Sequence, residues 1–123
     1  MSLTPEQIRA TAEAYVAALD RSDTDALAAL YAEGAAVEDP VGSPVREGNA
    51  AIGEFYGNLA GLRMDAKLLE VRVCGRELLF NFELVTHFDE NTRTTINVWD
   101  NMVLDDEGKV LSMKAYWGED NVS

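Results

Sequence analysis

A chain of 123 residues, 47% of them hydrophobic, has enough length for one well-filled core and too little for two comfortable domains, so residues 1–123 read as a single domain. Its 22 acidic residues outnumber its 10 Lys and Arg, giving a formal charge of −12. That balance speaks against nucleic-acid phosphates and anionic membrane surfaces as partners and leaves a neutral small molecule compatible.

One cysteine, Cys74, rules out an intrachain disulfide, and one histidine beside it in the inventory, His87, argues against a zinc site. Cys74, in VRVCGREL, reads as a small residue where a strand meets a turn. His87, next to Phe88 and a turn, reads as a surface or edge residue. The chain does not open with a basic start and an apolar run, and no stretch is long enough to span a bilayer. The expectation is a cytoplasmic protein without a membrane partner.

The first predicted element is a helix over 4–20. Thr4 is placed as its N-cap, Pro5 as its first helical residue, and Gln7 where a capping box requires it. Ile8, Ala12, Tyr15, Val16 and Leu19 recur at helical spacing. Ser22 or Asp23 caps a second helix carrying Leu27, Leu30 and Tyr31, which Gly34 is expected to end. A short strand AAVEDP follows, then turns at Gly42, Pro44 and Gly48 around a second short strand near Val45. Asn49 is the expected cap of a third helix with Ile52, Phe55, Tyr56 and Leu59 on one face, closed by Gly61. From residue 64 the apolar period drops to two, which predicts strands at 65–74, 77–88, 93–104 and 109–118 joined as an antiparallel meander. Helices first and strands later give an α+β fold, with three helices on one face of a curved, mainly antiparallel sheet.

The inward positions hold more polar groups than a core needs. Alternation along AAVEDP puts Asp39 on the same side as Ala35 and Val37. Taken alone, Asp39 also suits a turn ahead of Pro40. In TTINVWDNMVLD the face formed by Ile96, Val98, Met102 and Leu104 carries Asp100 at its middle. A bulge or an edge position would move Asp100 off that face; otherwise burial favours its protonated form. Leu111, Met113, Ala115 and Trp117 share the inward face of the last strand. Three of the four tyrosines, Tyr15, Tyr31 and Tyr56, fall on apolar helix faces, where a buried phenol needs a hydrogen-bond partner. An apolar cavity with two aspartates in unlike environments and several phenols suits proton abstraction next to a carbonyl, one acid serving as ionised base and the other as neutral donor.

These residues resemble the ketosteroid isomerases, within the nuclear transport factor 2-like superfamily, over nearly the whole chain. The matching pieces are the Tyr15 helix, ALYAEGAAVEDPVG at 29–42, AAIGEFYGNL at 50–59, the Asp100 strand and GKVLSMKAYWGEDN at 108–121. The resemblance implies a cone-shaped fold with an apolar cavity, a homodimer formed through the sheets, a steroid as ligand and no cofactor. It implies Asp39 as the base that carries a proton from carbon 4 to carbon 6 of a Δ5-3-ketosteroid. Tyr15 and a protonated Asp100, a known feature of these isomerases, would donate hydrogen bonds to the dienolate oxygen. Tyr31 and Tyr56 would orient Tyr15, and Trp117 would pack near the base. Met113 and Phe82 complete the expected supporting and substrate-binding set. The turn at 89–93 is longer than in the most familiar member, and Thr86, His87 and Asn97 depart from the family on strands assigned to the pocket; these departures bear on the steroid preferred. The fold also hosts polyketide cyclase-like and dehydratase-like enzymes and non-catalytic binding modules. Those enzymes usually bring His-Asp pairs or an Asp-Arg-Asp relay; here the lone histidine, His87, has no obvious inward partner.

Overall fold

Residues 3–123 are described by a computed structural model; Met1 and Ser2, the start of the segment read for a leader, lie outside the described residues. Three helices, α1 (Pro5–Asp20), α2 (Thr24–Ala29) and α3 (Asn49–Gly57), accompany six strands. These are β1 (Tyr31–Glu38), β2 (Arg46–Glu47), β3 (Arg63–Cys74), β4 (Glu77–His87), β5 (Arg93–Leu104) and β6 (Val110–Tyr116). The strands form one open, curved sheet in the order β2-β1-β6-β5-β4-β3, antiparallel except where β1 runs parallel to β6. The helices cover its concave face, giving the expected α+β cone. No helix among the described residues is long and apolar enough to cross a membrane.

Local chemistry starts α1 as expected. The Gln7 amide donates to Thr4 Oγ1 at 3.1 Å and the Thr4 amide to Gln7 Oε1 at 2.8 Å, a reciprocal capping box, with Pro5 at the first helical position. Ile8, Ala12, Tyr15, Val16 and Leu19 are all buried. Asp23, rather than Ser22, caps α2 by accepting from the Ala26 amide at 3.1 Å. Ser22 instead donates its hydroxyl to the Leu62 carbonyl.

The helix-two assignment of Tyr31 is corrected. Helix α2 stops at Ala29, and Tyr31 is the first residue of β1, paired with Val110. The chain leaves the helix because β6 captures it: the Val110 amide donates to the Leu30 carbonyl at 2.9 Å, and Lys109 Nζ to the Ala29 carbonyl. Gly34 therefore ends no helix. It sits inside β1 at a φ of 77°, where the β1–β6 register slips between Tyr31 and Ala36. Two further expectations shift at α3. Its N-cap is Gly48, which makes no side-chain cap, so Asn49 is the first helical residue, and the helix closes at Gly57, ahead of the turn that contains Gly61.

The meander forms as predicted, with β3 beginning two residues earlier, at Arg63. Its tightest link is Gly75-Arg76, between the paired Cys74 and Glu77. One face assignment fails. Leu111 is 43% exposed and Val110 is buried in its place, because the β5–β6 pairing skips Leu111: Val103 pairs with Ser112 and Leu104 with Val110. One inserted residue exchanges the two faces of a strand. Beyond the slip, Met113 and Ala115 face inward as expected.

Candidate active site

A cavity opens between the helices and the sheet. Its walls are apolar: Leu19, Phe55, Leu59, Phe82, Leu84, Ile96 and Val98. Four side chains with polar atoms, Tyr15, Asp39, Tyr56 and Trp117, interrupt them. A few convergent polar groups in an apolar cleft are the usual composition of a small-molecule site.

Asp39 follows the last residue of β1 and lies on the inward side begun by Ala35 and Val37, both buried. The turn after it is pinned twice. The Val41 amide donates to the Ala115 carbonyl at 2.8 Å, and the Gly42 amide donates to Glu38 Oε2 at 2.8 Å. Trp117, one residue past the end of β6, donates its indole Nε1–H to Asp39 Oδ1 at 2.9 Å. Burial pushes the Asp39 carboxyl above its ordinary value, while the Trp117 hydrogen bond and the charge of Arg46 pull it back.

Asp100 is placed differently. It is 1% exposed, in mid-β5, with Phe80 opposite on β4 and Ala115 opposite on β6. Neither carboxyl oxygen has a hydrogen-bond partner among the described residues. Burial pushes its carboxyl well above the usual range, and repulsion from Asp39 adds to that. A buried carboxyl without a partner is held in the neutral form, with one O–H to donate.

Three phenols form a chain. The Tyr56 hydroxyl donates to Tyr15 Oη at 3.3 Å, and Tyr31 and Tyr56 share a hydrogen bond at 2.5 Å. If Tyr56 spends its proton on Tyr15, Tyr31 must donate to Tyr56, and the Tyr15 proton is left for a group in the cavity. The rings of Phe80 and Phe82 stand edge-on to Tyr15, with centroids at 5.8 and 6.0 Å, and fix its plane. Burial raises all three phenols well above their ordinary range, so they remain neutral donors.

The structure thus brings Tyr15, Asp39, Tyr56, Trp117 and Phe82 to one cavity, with Tyr31 linked to it through Tyr56. Asp100 does not line the cavity; it is buried on β5 within electrostatic reach of Tyr15 and Tyr56. Met113 does not line the cavity. It is buried on β6, paired with Met102 of β5. Thr86 is buried beyond Leu84 on the same strand and is not part of the wall. His87 lies outside the cavity and shares a 2.8 Å hydrogen bond with Asp65 on β3. Asn97 is exposed and accepts from Asn81. Sequence reasoning left out Arg46, whose guanidinium carbon lies 4.4 Å from the centroid of the Phe55 ring. A basic residue three positions from the end of a turn gives no periodic signal of such a contact.

The SnoaL-like domain family matches residues 12–113. The chain belongs to that family. A steroid Delta-isomerase of Nocardioides simplex is 37% identical to this SnoaL-like protein over 111 residues, which cover 90% of this chain and 89% of the relative. Among solved structures, that of SalBIII, described as an epoxide hydrolase/cyclase-like enzyme with a role in pyran ring formation in polyether salinomycin, superposes with a TM-score of 0.87. It is 28% identical and covers 96% of this chain and 95% of that one. The resemblance to the ketosteroid isomerases and the SnoaL-like, nuclear transport factor 2-like fold therefore agree.

Proposed function

We propose that this protein is a steroid delta-isomerase that converts Δ5-3-ketosteroids to Δ4-3-ketosteroids without a cofactor. The observation that carries the reading is a pair of aspartates in opposite situations, Asp39 in the wall of an apolar cavity and Asp100 buried on β5 within electrostatic reach of Tyr15 in that wall. Asp39 is partly buried and hydrogen-bonded to an indole N–H; Asp100 is sealed and unpartnered.

In this mechanism Asp39, ionised, takes a proton from carbon 4. The C–H electron pair moves into the ring as the 3-keto oxygen becomes a dienolate oxygen. Tyr15 and neutral Asp100 donate hydrogen bonds to that oxygen, where charge develops. Asp39 then returns the same proton to carbon 6, and the double bond ends in conjugation with the restored carbonyl. Tyr56 and Tyr31 hold the Tyr15 hydroxyl by their hydrogen-bond chain. Trp117 fixes Asp39, and Phe82 with the other apolar walls holds the steroid. The whole chain acts as one domain in the cytoplasm. It forms a homodimer through the outer sheet face, where Leu79 and Tyr116 are 38% and 45% exposed.

The test is the ultraviolet rise of the conjugated enone when the protein is mixed with 5-androstene-3,17-dione, with Asp39→Asn alongside. A fast rise that the variant abolishes is expected. A folded protein that binds a phenolic steroid but produces no rise would overturn the reaction. The likeness to SalBIII then makes a cyclase of polyether-like substrates the reading to test next.

A further inference from the structure

Arg46 stands where a cation has a use. It lies on β2, opposite Val37 of β1, two residues before Asp39. Its guanidinium sits over the face of Phe55, a cavity wall residue, and its Nη1 donates to the Pro44 carbonyl at 3.1 Å. Two contacts of different kinds therefore hold the head group against the cavity wall. It makes no ion pair among the described residues, in a chain of charge −12.

We propose that Arg46 is the charge partner of Asp39, a positioning residue that keeps the base carboxylate available inside an apolar cavity. This rests on the proposed role of Asp39. The other titratable groups around Asp39 all become negative on ionisation. They are Tyr15 from α1, Tyr31 at the start of β1, Tyr56 from α3 and Asp100 from β5. Glu38 turns its carboxylate to the Gly42 amide, and Lys114, paired with Glu38, is exposed on the outer face of the sheet. Arg46 is the cation among the described residues whose field reaches Asp39, and it opposes the effect of burial. Held on an aromatic face, it supplies positive charge without the hydrogen bond that would tie up the carboxylate. A carboxylate in a direct salt bridge would be a weaker base; one with no cation nearby would protonate too readily.

The test has two readouts. The first is the infrared titration of the Asp39 carboxyl, isolated by subtracting Asp39→Asn, in the wild type, Arg46→Met and Arg46→Lys. Methionine keeps an unbranched stem over Phe55, and lysine keeps the charge. The expected result is a midpoint raised in Arg46→Met and restored toward wild type in Arg46→Lys. The second is the acid limb of kcat/KM for isomerisation, which should move in the same order, so that the deficit of Arg46→Met grows as pH falls. An unmoved midpoint in Arg46→Met overturns the proposal, as does an equal rise in both variants, which would assign the effect to shape. The infrared titration needs no turnover. A wild type without isomerase activity therefore overturns the proposed reaction while still deciding the role of Arg46.

Discussion

The two aspartates of this protein share a residue type and a neighbourhood but sit in regions built on different principles. Asp39 stands where a strand ends and a turn begins, at the junction of β1, the 39–44 turn and the residue after β6. Polar groups gather there beside the apolar cavity wall: an indole that donates to the carboxylate, two hydrogen bonds that hold the turn, and a guanidinium whose charge reaches it. Asp100 stands mid-strand in the sheet between Phe80 and Ala115 of the neighbouring strands, and no group among the described residues hydrogen-bonds its carboxyl. Burial raises both, but only at Asp39 do other groups oppose it. The lesson is that acid and base need not come from different residue types. The same side chain becomes either one according to whether its surroundings offer donors and positive charge or only hydrocarbon.

The largest expected effect breaks the Asp39 side of this comparison. Asp39→Asn should lower kcat by roughly three to four orders of magnitude, the upper part of what a positioned general base contributes. Phenolic steroid binding should survive. Near-normal turnover would show that the proton moves elsewhere.

Next comes the Asp100 side with its phenolic neighbour. Tyr15→Phe should cost about a hundredfold to a thousandfold in kcat, as expected for loss of one oxyanion donor. Asp100→Asn should cost about tenfold, because the amide still donates a hydrogen bond, though a weaker one. Equal and negligible losses would remove both from the site.

Stability against pH sharpens the contrast without any turnover. Asp100 has a raised folded-state pKa, so the unfolded chain loses this proton first as pH rises. Between the ordinary carboxylate range and the folded-state value, the folded state binds more protons. Stability therefore falls with rising pH across that window, by at most about 1.4 kcal/mol per pH unit from this group. In Asp100→Asn this downward slope should disappear, and denaturant midpoints of the variant should gain on wild type as pH rises from 4 toward neutrality. Parallel curves would mean that Asp100 ionises in the folded protein.

The smallest effect belongs to Trp117→Phe. It keeps most of the apolar wall but removes the indole donor from Asp39. The acid limb of kcat/KM should move upward, with a several-fold loss of rate below it and little above. An unmoved limb would make the 2.9 Å contact a packing detail.

Much of this protein was decided by sequence alone, wherever a property depends on neighbours along the chain. The Thr4-Pro5-Gln7 start of α1 is a matter of local hydrogen bonds. The inward aspect of Tyr15 follows from a period of 3.6, and that of Asp100 from a period of two along an unbroken strand. The VEDPVG and MKAYWGE runs were enough to suggest the family. Tertiary structure decided whatever depends on partners far along the chain. Tyr31 satisfied the helical pattern, yet it became a strand residue because β6 pairs with it from 79 positions away. Leu111 alternated correctly, yet a slip against β5 turned it outward. Trp117 was expected near the base, but its bond to Asp39 needs the parallel β1–β6 pairing to bring the two strand ends together. Arg46 carried no signal at all. Its position over Phe55 exists only because β2 folds back on β1 beneath α3, and charge acts through space with no periodicity for a sequence to display.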